Sequence, residues 1–326
     1  MFKKLFLLLL GFMALGVVAQ VSVISVTDED KHSSKEDFYH TFEYYISSGK
    51  QSAKCQATRV GKRWFATAAH CVNTLCKNKC TLQMDLLEQD ISVLAAVYHS
   101  AKKPAVFVHP EYSDDVFAKD DFALIQLDLR RAPLTYYMRT KDSNAPNIVL
   151  SKDRFDAFLE KNRKVKSQYA RVLSPTFPPL LVFDEGDYLL DRKLSVISIF
   201  NGKREVKVNP HEVYYLKALG YAFTNNFGIR KGMSGSGVMT NTGELAGIIS
   251  ANMDIWFQKG KEKETYDYFI FPVFNKSLLS FMQSTMGGDF YQIEQKDAYP
   301  YAVRKTRKNF SSLLPTLKKV SQKKGS

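Results

Sequence analysis

Acidic residues are missing from one end of this 326-residue chain. Residues 298–326 hold Arg304, Lys305, Arg307, Lys308, Lys318, Lys319, Lys323 and Lys324 without one Asp or Glu, whereas the whole chain carries a formal charge of +13. Most of the basicity therefore sits in a tail, and the body in front of it is close to neutral. That excludes a body built for specific nucleic-acid recognition. The tail suits contact with an anionic surface or polymer through counterion release, and equally a solvated, flexible end.

Long apolar runs are just as scarce. The one present, Leu5 to Val18, follows Lys3 and Lys4 and ends in the small residues Val17-Val18-Ala19 before Gln20. It is too short and too early for a membrane span and reads as a signal peptide over residues 1–19. No Cys stands near the cleavage point, so a lipid anchor is not expected, and no later run makes a transmembrane anchor. The mature chain is expected to be exported, to a periplasm or out of the cell. Residues 20–42 are polar and charged and read as an N-terminal arm or propeptide. Internal repeats, low-complexity tracts and phosphate-cradling glycine motifs are also lacking, which removes solenoid and nucleotide-binding classes. No cofactor is expected.

Cysteine is rare, with four copies in all. In an exported protein Cys55, Cys71, Cys76 and Cys80 read as two disulfides, for which three pairings exist. Cys55 and Cys71 flank an apolar segment, and Cys76 and Cys80 enclose only Lys77-Asn78-Lys79. The rival is a metal site from Cys71, Cys76 and Cys80 with His70. It lacks a second Cys-x-x-Cys knuckle and export favours oxidation, so no metal is expected.

What the chain does contain is short apolar runs separated by Gly, Asn, Asp, Ser and Pro. From Phe42 to Leu127 these include Arg63–Ala69 and Phe122–Leu127, the spacing of an all-β sandwich or barrel. From Lys152 to Tyr169 the residues Phe155, Phe158, Leu159, Val165 and Tyr169 follow a helical period, predicting a surface helix inserted between two β halves. Lys161, Arg163, Lys164 and Lys166 form its solvated face. Strands are predicted again at Leu194–Phe200, Glu212–Phe223, Gly237–Met239 and Leu245–Ser250, with Tyr266–Val273 last. Asn275–Met282 has a helical apolar face.

Three segments carry chemistry: Thr67-Ala68-Ala69-His70-Cys71, Asp121-Phe122-Ala123-Leu124-Ile125, and Gly232-Met233-Ser234-Gly235-Ser236-Gly237. A serine hydroxyl is a weak nucleophile, and it needs a base within hydrogen-bond reach and donors waiting for the oxyanion. Ser234 lies among glycines that let the chain turn sharply and let substrate approach. The amides of Gly232 and Ser234 are the expected oxyanion hole. His70 supplies the base, and Asp121, against an apolar strand, orients the imidazole. Asp120 is the competing orienter.

Together these motifs resemble the trypsin/chymotrypsin-like serine proteases, in the style of bacterial secreted members. The preceding Val108-His109-Pro110-Glu111-Tyr112 resembles the loop before the family's Asp motif, and Cys55 and Cys71 have the spacing of its bridge beside the catalytic His. The resemblance covers roughly residues 43–283. It implies two six-stranded antiparallel β-barrels with the site in the cleft between them and a closing C-terminal helix. It places a protease domain over residues 43–284 and the basic tail over 285–326. It also implies that Gly228, Lys231, Ser250 and Asn252 bind substrate, a protein or peptide cleaved through an acyl-enzyme. The alternative function is a non-catalytic, protease-like binding protein.

Two departures stand out. Met233 occupies the position where animal trypsins carry the Asp that pairs with a new N-terminus, and no Arg/Lys-Ile-Val-Gly-Gly activation site exists. Gly228 replaces the acid at the pocket base, so the usual route to Lys/Arg preference is gone. Asp254 and Asp267 are acids on later segments with reach to the pocket. Arg230 and Lys231 favour acidic substrates, yet Ile249 stands where glutamyl-specific relatives have His.

Overall fold

The computed structural model describes residues 23–25, 40–87, 91–113, 120–139, 147–183, 188–190, 194–200, 203–209, 213–216, 220–259, 262–298 and 302–303. The expected signal segment (1–19), most of the N-terminal arm and the tail beyond residue 303 lie outside them.

The first half of the chain is one antiparallel sheet. Its strands are β2 (Thr41–Ser48), β3 (Gln51–Gly61), β4 (Trp64–Thr67), β5 (Lys79–Asp85), β6 (Ile91–Ser100), β7 (Val106–Val108), β8 (Ala123–Gln126), β9 (Leu134–Met138) and β10 (Ile148–Leu150). They run in the order β10-β9-β6-β5-β2-β3-β4-β8-β7. Strand periodicity puts alternate side chains on one face, so Phe42, Tyr44 and Ile46 of β2 are all fully buried, against Phe65, Leu82 and Ile125. Between β4 and β5 the chain makes one helical turn, α1 (Ala69–Val72).

The predicted single helix is two, α2 (Lys152–Lys161) and α3 (Arg163–Leu173). The break is at Asn162 (φ −124°, ψ 77°), whose side-chain amide donates to the Phe158 carbonyl at 2.9 Å. Asn competes for backbone acceptors in this way, which explains why it ends a helix the apolar period would continue. Phe155, Leu159 and Val172 bury into the first-half core, with Phe155 stacked on Tyr136. Arg59 of β3 donates to the carbonyls of Val172 and Ser174, satisfying acceptors left open at the C-terminus of α3.

The second half, joined by β1 from the N-terminal arm, forms two sheets. Seven strands run β1-β14-β13-β17-β18-β11-β21: β1 (Val23–Ser25), β11 (Leu180–Val182), β13 (Leu194–Phe200), β14 (Lys203–Val208), β17 (Gly237–Thr240), β18 (Leu245–Ile248) and β21 (Gln295–Asp297). Six run β19-β20-β16-β15-β12-β22: β12 (Tyr188–Leu190), β15 (Val213–Leu216), β16 (Tyr221–Asn225), β19 (Ala251–Lys259), β20 (Glu262–Pro272) and β22 (Ala302–Val303). The all-β class, helical insert and C-terminal helix α4 (Lys276–Met286) stand, with more strands than six to each half because edge strands have joined. Two of the added pairings, β11 with β18 and with β21, are parallel. The predicted strand 212–223 is split in two, with Gly220 at φ +68° beginning the turn into β16.

α4 starts where Asn275 accepts the Leu278 N–H at 3.0 Å. The folded chain continues past residue 284, where the tail was expected to begin. Phe290 and Ile293 are buried, and Asp289 accepts from Arg63 at 2.7 Å and Trp64 at 2.9 Å. A separate apolar cluster joins the halves, with Val60, Trp64, Phe122 and Leu124 against Ile197, Leu245, Phe274 and Met282. That cluster fixes how the two edges carrying the polar segments face one another.

Candidate active site

His70 lies in the single turn of α1, directly after the fully buried strand β4. Its position is fixed from both sides. Cys71 is bridged to Cys55 of β3, and the His70 backbone N–H donates to Asp121 Oδ1 at 2.8 Å. The imidazole Nδ1 meets Asp121 Oδ2 at 2.7 Å. A carboxylate only accepts, so Nδ1 carries a proton and donates it, leaving Nε2 on the other side of the ring. The His70 side chain is 38% exposed, open to solvent, whereas Asp121 is 0% exposed.

Asp121 precedes β8, and its carboxylate takes a third hydrogen bond from the Ser250 hydroxyl. Three donors offset the cost of burying it. Its N–H donates to the Tyr221 hydroxyl at 3.0 Å. Asp120, the competing orienter, turns away: it has φ +52° and its carboxylate lies 3.9 Å from His109. The left-handed backbone at residue 120 is what directs neighbouring carboxylates to different histidines.

Ser234 sits in a turn between Gly232 (φ +92°) and Gly235 (φ +91°). Its hydroxyl donates to the Ser250 carbonyl at 3.4 Å, so Ser250 touches both Asp121 and Ser234. The turn is pressed onto β3. Gln56 N–H donates to the Ser234 carbonyl at 2.8 Å, and a side chain at residue 235 would begin 1.6 Å from the Gln56 carbonyl oxygen. Only glycine fits there. Gln56 does more with its side chain, which donates to Gly232 and Ile199 carbonyls at 3.1 and 2.8 Å and accepts from Ser236 at 2.8 Å. No sequence motif pointed to Gln56, and its place next to Cys55 was the one available signal.

Among the described residues, neither the Gly232 nor the Ser234 N–H donates to another group. Met233 between them is fully buried beside Phe227 and Ile229, and its sulfur accepts from the Arg230 N–H. An apolar anchor thus holds the turn where trypsins use an ion pair. Gly228 (φ +95°) and Lys231 are exposed on the same loop, and Arg230 pairs with Glu205 at 2.9 Å. Asp267 accepts from Asn226, at the start of that loop. Asn252 and Asp254 lie on β19, and their side chains are outside the described residues.

The second bridge joins Cys76 to Cys80. With all four cysteines oxidised, the sulfurs of Cys55 and Cys71 beside His70 are not thiolate ligands, whatever their proximity. Among the described residues no helix is long and apolar enough to cross a membrane.

Residues 30–150 match the protein-family model described as Trypsin. A chymotrypsin-like elastase family member 1 from Canis lupus familiaris is 34% identical over 84 residues, covering 26% of this chain and 31% of that protein. The chain thus spans about a third of the length of the curated relative it matches. Among solved structures, the protease Anisep from Arthrobacter nicotinovorans aligns with TM-score 0.43 and 12% identity, over 76% of this chain and 94% of that one. A scabies mite inactivated protease paralogue aligns with TM-score 0.42 and 13% identity, over 78% and 97%. The similarity to the trypsin family thus falls on residues 30–150, the part of the chain that carries His70 and Asp121.

Proposed function

We propose that the protein is a serine endopeptidase. The observation that carries this reading is the position of Ser250: its hydroxyl binds the Asp121 carboxylate that holds His70, and its carbonyl receives the Ser234 hydroxyl. Base, orienter and nucleophile therefore share one neighbour. The reading requires a rotation about the Ser234 Cα–Cβ bond, fast for a side chain that is not fully buried, to turn the hydroxyl from the Ser250 carbonyl to His70 Nε2. His70 takes the hydroxyl proton as Ser234 attacks the carbonyl, and Asp121 stabilises the imidazolium. The N–H groups of Gly232 and Ser234 receive the oxyanion. His70 then protonates the leaving amine and activates water against the acyl-enzyme.

The two disulfides support export, and with it the reading of residues 1–19 as a signal peptide ahead of a protease domain over roughly 43–284. A fluorophosphonate probe tests the mechanism directly. Wild type is expected to label and to cleave casein, while Ser234→Ala stays folded, takes no label and loses cleavage by about 10⁴-fold or more. A native, folded wild type that takes no label points instead to the non-catalytic binding protein.

A further inference from the structure

We propose that Lys207 is the specificity-determining residue of this site and selects an acidic side chain on the residue whose carbonyl is attacked. The proposal rests on the endopeptidase reading above. Lys207 lies on β14 and is 3% exposed. Its ammonium donates to the carbonyl of Gly228, six residues before Ser234 on the same loop. Lys207 Nζ sits 3.1 Å from the point where a side chain at residue 228 would begin. The place that a residue-228 side chain would take beside the nucleophile's loop is thus filled by a cation from another strand.

That cation is under-partnered. An ammonium has three N–H donors, and among the described residues the Gly228 carbonyl is its one hydrogen-bond acceptor. No described carboxylate lies within 4.0 Å of it; Glu205 is engaged by Arg230 at 2.9 Å and Asp267 by Asn226 at 2.5 Å. Burial, together with the neighbouring Arg230 charge, pulls the Lys207 pKa down from the ordinary lysine range, against the opposing effect of Glu205. Among the described residues the acid that acts on this buried cation is Glu205, which Arg230 engages, and a carboxylate brought to the ammonium supplies a direct partner. Gly228, whose carbonyl holds the ammonium, is itself exposed. A lysine or arginine on the substrate meets repulsion there, and an aliphatic side chain covers the charge without pairing it.

The test uses four peptides differing only in Glu, Gln, Lys or Leu at the residue that supplies the scissile carbonyl. Active enzyme is counted by fluorophosphonate labelling. Wild type is expected to favour Glu over Gln in kcat/KM by roughly tenfold to a hundredfold. Lys207→Arg keeps that order, and Lys207→Met brings the Glu/Gln ratio near one through loss on the Glu peptide. Lys207→Gln, which retains a donor to the Gly228 carbonyl without the charge, gives the same readout where the Met variant does not fold. Labelled wild type that cleaves Glu and Gln equally overturns the assignment and leaves the protease reading intact. So does a Glu preference that survives in Lys207→Met, or an equal loss on all four peptides, which marks Lys207 as a staple for the loop. Wild type that takes no label overturns both.

Discussion

The half that carries His70 and the half that carries Ser234 are held together by different means. On the base side all four cysteines are cross-linked, and His70 is gripped by a disulfide neighbour and two hydrogen bonds to a buried carboxylate. The Ser234 turn has no cross-link. Two glycines in the left-handed region shape it, buried Met233 anchors it, and Gln56 reaches across from the other half to tie it down. Ser234 therefore borrows its rigidity from the His70 side, and β3 is the element both sides share.

Gly235→Ala is expected to break this arrangement most severely. The new methyl would sit 1.6 Å from the Gln56 carbonyl, at φ +91°, so either β3 or the turn must move. A loss of about 4 kcal/mol in chemical denaturation, with fluorophosphonate labelling abolished, is the expected result. Near-normal stability and labelling would show that the turn does not lean on β3.

Gln56→Ala removes the bridge without adding bulk and leaves Ile199, Gly232 and Ser236 short of partners. About 3 kcal/mol of stability should go, and kcat should fall more than KM rises, since the turn is misplaced and not the substrate subsites. An unchanged kcat would separate the bridge from catalysis.

The two disulfides sharpen the comparison within the base side. Opening Cys55–Cys71 with a double Ala substitution should cost about 3 kcal/mol, and opening Cys76–Cys80, with its shorter loop, about 2 kcal/mol. Only the first borders both His70 and Gln56, so only the first should slow labelling of Ser234. Equal effects on labelling would remove the link between that bridge and the site.

The smallest effect is on acid stability, because two groups oppose one another. Burial, with Arg204 and Arg59 nearby, pushes His40 down to about 4, so as pH falls from 6.5 towards 4 the unfolded chain takes a proton that the folded one refuses, and stability is lost. Asp85 is pushed up to about 6 by burial, against the opposing effect of Arg139, so over about pH 6 to 4 the folded chain takes the proton first and stability is gained. Each contribution is on the order of 3 kcal/mol, and they nearly cancel. His40→Gln should therefore flatten acid unfolding between pH 6 and 4, and Asp85→Asn should steepen it. Parallel shifts in the two variants would refute the opposition.

Much of this was legible in the order of residues. The alternate apolar residues of β2 follow from side chains needing one face, the continuous apolar run of β8 from burial on both faces, and the Asn275 start of α4 from its capping chemistry. The insert was legible as helix but not as two helices, because the apolar period runs through Asn162 and only its side-chain bond to Phe158 ends the first. The choice between Asp120 and Asp121 rested in the sequence on one residue of spacing. In the fold it turns on a positive φ that no pattern announces.

By itself the sequence determined the chemical parts: a histidine after small residues, an acid at an apolar strand, a serine among glycines, and cysteines spaced to bridge. These are local, and local patterns carry them. Only the tertiary structure decided that Gln56 ties the nucleophile turn to β3, that Met233 anchors it without an ion pair, and that Lys207 fills the space left at Gly228. Each joins residues far apart in the chain, and such meetings depend on how two sheets pack, which no single stretch of sequence encodes.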